Sequence, residues 1–158
     1  MKINNIQLTE LVNPVCRIAK RAGSEIMKIY KKGFEIEEKK DHSPLTSADL
    51  ASHRLIIEEL QKLTPNIPIL SEESGAVSYK ERAEWLNYWL IDPLDGTREF
   101  IKRNGEFTVN IALIVNQVAG LGVVYLPAQD ICYFATQGYG SFKQEQNKPA
   151  FQISTRHS

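Results

Sequence analysis

Asp92 and Asp95 stand three positions apart in the string Asp92-Pro93-Leu94-Asp95-Gly96-Thr97. Two carboxylates that close, with the Leu94 carbonyl between them, offer hard oxygen donors suited to Mg²⁺ rather than to a soft metal. A second acidic pair, Glu72 and Glu73, follows the short apolar run of Pro68, Ile69 and Leu70. Four acids at two neighbouring strand ends repel one another strongly unless a cation lies between them. Gly96 lets the backbone approach a ligand closely, and residues 97–100 can open a helical turn whose free N–H groups attract anions. A cation and a helix N-terminus aimed at one point suit a phosphate group. The plainer readings are a surface turn at 92–97, since Asp-Pro and Asp-Gly are common turn pairs, and a solvated acidic loop at 72–75.

The apolar run 88–91 reads as a short buried strand, with Pro93 ending it and Asp92 at its last position. Upstream, apolar residues spaced by three and four from Leu8 to Tyr30 predict an amphipathic helix over 7–32 that stops at Gly33. Pro14 either kinks that helix or sits in its first turn behind an Asn13 cap. Residues 34–39 alternate like a strand with one wet face, and a polar loop follows in which His42 is a surface residue. Thr46 or Ser47 caps a second helix running to about Leu63, with Leu50, Ile56, Ile57, Leu60 and Leu63 as its buried stripe and Asp49 in its first turn. There an acid complements the helix dipole.

Residues 67–70 form the next strand, and 78–84 a short helix or loop. Beyond the acidic turn, 108–115 and 118–126 read as a hairpin closed at Asn116-Gln117, followed by strands at 131–136, 140–143 and 150–154. Helix, strand, helix, then a meander is an α+β order, an antiparallel sheet packed against two long helices.

The chain of 158 residues carries 19 basic and 19 acidic side chains, so no basic surface advertises nucleic acid or an anionic membrane. Cys16 and Cys132 lie far apart without a Cys-x-x-Cys pair, which fits buried free thiols in a reducing cytoplasm. No apolar run has the length of a bilayer span, and no P-loop or dinucleotide fingerprint competes for the phosphate role.

The string Trp89-Leu90-Ile91-Asp92-Pro93-Leu94-Asp95-Gly96-Thr97-Arg98-Glu99-Phe100 resembles the signature of the magnesium-dependent, lithium-sensitive phosphomonoesterases that include inositol monophosphatase and 3'(2'),5'-bisphosphate nucleotidase. Ser43-Pro44-Leu45-Thr46-Ser47-Ala48-Asp49 and the Glu-Glu-Ser of residues 72–74 resemble two further elements of that family. Residues 98–113 look most like its bacterial bisphosphate nucleotidase branch. The resemblance implies a first Mg²⁺ on Glu72, Asp92 and the Leu94 carbonyl, and a second on Asp92, Asp95 and an aspartate of a C-terminal Trp-Asp motif. Here the only other tryptophan, Trp85, precedes Leu86.

It further implies catalytic roles for Asp49, Thr97 and Glu73, with Asp49 accepting from Thr97 to orient the attacking water. Phosphate would rest on Glu72, Asp95, Gly96 and Thr97 through the metals and backbone N–H groups. The expected fold is the N-terminal metal-binding domain, residues 1–158, of a two-domain sugar-phosphatase, with the C-terminal domain absent. The expected activity is hydrolysis of adenosine 3',5'-bisphosphate to AMP and phosphate, impaired by truncation. The rivals are inositol monophosphatase activity and a non-catalytic fragment. The substrate would be a small phosphorylated nucleotide. A homodimer and peripheral attachment to the inner membrane are compatible with the resemblance, though no amphipathic anchor is evident.

Overall fold

The computed structural model describes residues 3–32, 44–72 and 78–155. The strand expected at 34–39, His42 and Glu73 lie outside the described residues.

Helix α1 (Asn5–Lys32) starts two residues earlier than its apolar periodicity predicts, because Asn4 caps it. The Asn4 side chain accepts from the Gln7 N–H at 2.9 Å, and the Gln7 side chain accepts from the Asn4 N–H at 2.9 Å. This reciprocal pair satisfies two donors that the helix leaves over. Pro14 therefore lies inside the helix, and Asn13 is not a cap. Leu8, Val12, Val15, Ala19, Ala22, Ile26 and Tyr30 form its buried stripe.

Helix α2 (Pro44–Leu63) opens on proline, whose missing N–H costs nothing in the first turn. Thr46 and Ser47 are thus inside the helix rather than capping it, and Asp49 falls in the second turn, beyond the reach of a simple dipole role. Among the stripe expected, Ile56 and Leu60 are fully buried. Ala48 and Ser52 extend the same four-residue spacing and are buried with them.

Strands β1 (Ile69–Ser71), β2 (Asn87–Asp95), β3 (Thr108–Val115), β4 (Val118–Leu126), β5 (Ile131–Thr136), β6 (Gly140–Glu145) and β7 (Phe151–Ile153) form one sheet in chain order. Among the described residues the β1–β2 pair is parallel and each later pair antiparallel, so the sheet is mixed rather than wholly antiparallel as expected. The β3–β4 hairpin closes at Asn116 and Gln117, both left-handed at φ 50° and 68°, as a two-residue turn between right-twisted strands requires. Short helices α3 (Tyr79–Ala83) and α4 (Thr97–Lys102) flank β2.

Helices α1 and α2 pack together, α1 against β3, β4 and β5, and α2 against β2. Burial in β3 alternates strictly, with Val109, Ile111, Leu113 and Val115 inward. Trp89 and Ile91 join them from β2, and Leu121, Val123 and Tyr125 from β4. The outward face keeps Leu90 and Val124 exposed at 42% and 40%. Cys16 and Cys132 are buried free thiols. Among the described residues no helix is long and apolar enough to cross a membrane.

Candidate metal and phosphate site

Strand β2 does not stop at Asp92 but continues through Pro93 to Asp95. The proline is tolerated because β1 pairs with β2 only as far as Ile91, and because the β2–β3 register shifts there. Asp92 faces Asn110 and Asp95 faces Thr108, so three steps on β2 match two on β3, a β-bulge. In a regular strand, residues three apart point to opposite faces. The additional residue reverses that, returning Asp95 toward the side that Asp92 occupies.

Neighbouring elements fix this bulge. The buried Ser52 hydroxyl of α2 donates to the Pro93 carbonyl at 2.7 Å. Trp89 donates its indole N–H to Thr64 at 2.8 Å, tying the strand's start to the end of α2. His53 and Ser71 meet at 2.9 Å, which fastens β1 to α2 one residue before Glu72. The Glu72 N–H then donates to the Ile91 carbonyl at 3.3 Å, extending the parallel pairing past Ser71. Glu72 is thereby set beside Asp92.

Beyond the bulge, Gly96 adopts φ 88° and opens α4. A Cβ at that position would lie 3.0 Å from the Glu106 carbonyl oxygen and 3.2 Å from the Phe107 Cα, so both conformation and space call for glycine. Phe100 of α4 is buried in an aromatic triad with Tyr30 and Phe107, centroids 5.0 to 5.2 Å apart. Arg103 caps the cluster, lying over the Tyr30 ring and donating to the Tyr30 carbonyl at 3.1 Å. The N–H groups of residues 97–99 precede the first helical bond of α4, from Phe100 to Gly96.

Electrostatics concentrate on Asp92. Burial, then the charges of Glu72 and Asp95, then a hydrogen bond shared with Glu72 push its carboxyl up to about 6, against a smaller lowering by the Leu94 backbone. A carboxyl raised first by burial and then by two neighbouring acids is one whose charge a cation would favour. The donors are oxygens, which fits Mg²⁺. They do not form a closed cage: among the described residues, no three His, Cys, Asp or Glu side chains converge as a metal-holding group. Asp95 is instead held by Asn110, whose Nδ2 donates to its Oδ2 at 3.1 Å.

Of the expected site residues, Glu72, Asp92 and Asp95 thus share one electrostatic neighbourhood, with Leu94 inside the bulge and Gly96 and Thr97 at its exit. Asp49 lies on α2, which touches α4, the helix that Thr97 opens. Ser52, His53 and Asn110 were not singled out by sequence reasoning. Asn110 had a signal of a kind, an amide among Val, Ile and Ala in a β-rich run; the other two had none short of the fold.

The inositol monophosphatase family model matches residues 7–158. The chain belongs to the inositol monophosphatase family. Within this family it is 52% identical over 130 residues to the 3'(2'),5'-bisphosphate nucleotidase CysQ of Salmonella typhimurium, covering 81% of this chain and 52% of that protein. CysQ of Aggregatibacter actinomycetemcomitans is 41% identical over 143 residues, covering 90% and 53%. The crystal structure of CysQ from Bacteroides thetaiotaomicron superposes with a TM-score of 0.83 at 36% identity, covering 98% of this chain and 61% of that one. The chain spans about half the length of the curated relatives it matches.

Proposed function

We propose that this chain carries the metal- and phosphate-binding part of a phosphomonoesterase that hydrolyses the 3'-phosphate of adenosine 3',5'-bisphosphate to AMP and phosphate. The observation that carries the reading is the bulge that turns Asp92 and Asp95 to one side of the sheet, with Glu72 set beside Asp92 by its bond to the Ile91 carbonyl. Similarity to nucleotidases named CysQ supports the choice of substrate.

Glu72, Asp92, Asp95 and the Leu94 carbonyl would hold Mg²⁺, which when bound supplies Lewis-acid charge and lowers the pKa of a water at neutral pH. Asp49 and Thr97 orient the attacking water by hydrogen bonding. Glu73 follows Glu72 and belongs to the same proposed set. The Gly96 and Thr97 N–H groups support the phosphoryl oxygens, where charge is stabilised in the transition state. Gly96 permits the turn that presents these groups, because a Cβ there would crowd the Glu106 carbonyl and Phe107.

The test is phosphate release by the 158-residue chain in Mg²⁺, with adenosine 3',5'-bisphosphate and an inositol monophosphate assayed side by side. The expected result is turnover of the nucleotide in preference to the inositol ester, abolished by Glu72→Gln. Preference for the inositol ester would overturn the substrate. One observation favours a second reading, a non-catalytic binding module: Leu90 and Val124 stay exposed on the outward sheet face, along a cleft of about 530 Å³ that runs on to Glu72, Asp92 and Asn110. Wild-type release no greater than that of Glu72→Gln would support it.

A further inference from the structure

We propose that Asn110 is the positioning residue for Asp95, fixing one of its carboxylate oxygens so that the other is left for the cation. This rests on the metal reading above. Asn110 is the cross-strand partner of Asp92, yet its amide reaches past that residue to the Asp95 carboxylate, 3.1 Å from Nδ2 to Oδ2. The bulge makes this reach possible, because it sets Asp95 opposite Thr108, two residues from Asn110 on β3, while turning its side chain back to the face that Asn110 and Asp92 share.

The other end of the amide shows how firmly that bond is specified. Asn110 Oδ1 is buried with no hydrogen-bond partner. An orphaned buried acceptor is destabilising and calls for an explanation. An ionised carboxylate can only accept, so it is the NH₂ end that must face Asp95. The fold leaves the oxygen unsatisfied and keeps the bond to Asp95. Val, Ile and Ala occupy the neighbouring positions of β3, so nothing in the strand itself calls for an amide at 110.

A hydrogen bond to one oxygen removes the carboxylate's freedom to turn about its last torsion. An acid ligand on a bulge next to a glycine needs such a restraint to present the same oxygen each time. Asn is suited to the task because it donates without adding a further negative charge beside Glu72 and Asp92.

The test is Mn²⁺ binding by calorimetry, with the melting temperature of the metal-free chain measured in parallel. Asn110→Ala is expected to weaken Mn²⁺ binding about tenfold, while the metal-free melting temperature moves by less than about 4 °C. Asn110→Asp, the same shape without the donor, is expected to lose at least as much. In an Asp95→Asn background, Asn110→Ala is expected to have no further effect. Should the alanine variant not fold, Asn110→Val, better suited to a strand and without a donor, carries the same expectation. The proposal is overturned if Asn110→Ala keeps wild-type affinity, if the two substitutions act additively, or if Asn110→Asp binds more tightly, which would make position 110 a ligand. Failure of the wild-type chain to bind Mn²⁺ would instead bring down the metal reading, and this proposal with it.

Discussion

Asp92 meets two opposing demands. Burial and two acidic neighbours disfavour its charge, whereas the cation proposed for the site would require it. An unfolded aspartate ionises near 3.8 and the folded one at about 6, so between those values the folded chain holds a proton that the unfolded chain has released. Stability of the metal-free chain should accordingly fall as pH rises from about 4, and level off above about 6. Mg²⁺ should flatten that slope by taking the proton's place. Asp92→Asn should abolish the slope, raise the metal-free melting temperature at pH 7.5, and remove the stabilisation by Mg²⁺. Thermal melts across pH 4 to 8, with and without Mg²⁺, check all three expectations. A wild-type melting temperature that climbs through this window would contradict the assignment.

At the scale of elements, the site depends on how β2 is gripped rather than on β2 alone. A bulge containing proline has lost ladder bonds, and the Ser52 hydroxyl replaces one of them from α2. Ser52→Ala should cost about 1–3 kcal/mol, because the Pro93 carbonyl is left without this donor. For a domain of this size that is a drop in melting temperature of roughly 2–4 °C per kcal/mol. Mg²⁺ affinity should fall with it, since the same bond holds the carboxylate-bearing turn; calorimetry on the folded variant reads the second effect separately. On the far side of the turn, the Tyr30, Phe100 and Phe107 triad anchors α4 to the end of α1. Two long helices thus hold the site from opposite ends.

Across the whole molecule, the two faces of the sheet have different fates. One is sealed by α1 and α2. The other presents Leu90 and Val124 around a shallow row of Ala112, Gly122 and Ala135, which the register places side by side. A Cβ at Gly122 would meet nothing within 4 Å. Apolar surface of that kind binds hydrophobic dyes. The folded chain should enhance the fluorescence of such a dye at neutral pH, and Leu90→Lys with Val124→Lys should reduce the signal without lowering the melting temperature appreciably. An unchanged signal would place the dye elsewhere.

Local chemistry made much of this protein legible before any fold was known. The three- and four-residue spacing from Leu8 to Tyr30 specified α1, alternation specified β3, and glycines and polar pairs separated the strands of the meander, because each signal is complete within a few residues. The acidic string 92–95 likewise supplied, through side-chain type alone, the hard oxygen donors of the metal site proposed above. What the string could not convey was its geometry. Pro93 read as a stop, yet the strand runs on, since whether a proline is tolerated depends on which neighbour is absent from that edge. Asn4, not Asn13, caps α1, because the reciprocal bond to Gln7 outweighs a proline signal nearer the middle. Ser52, His53 and Asn110 reach the site from positions 15 to 41 residues away from their partners. Residue order determined which atoms were available; only the packing of α2 and β3 against one bulge decided which of them meet, because a hydrogen bond is selected by distance in space and not along the chain.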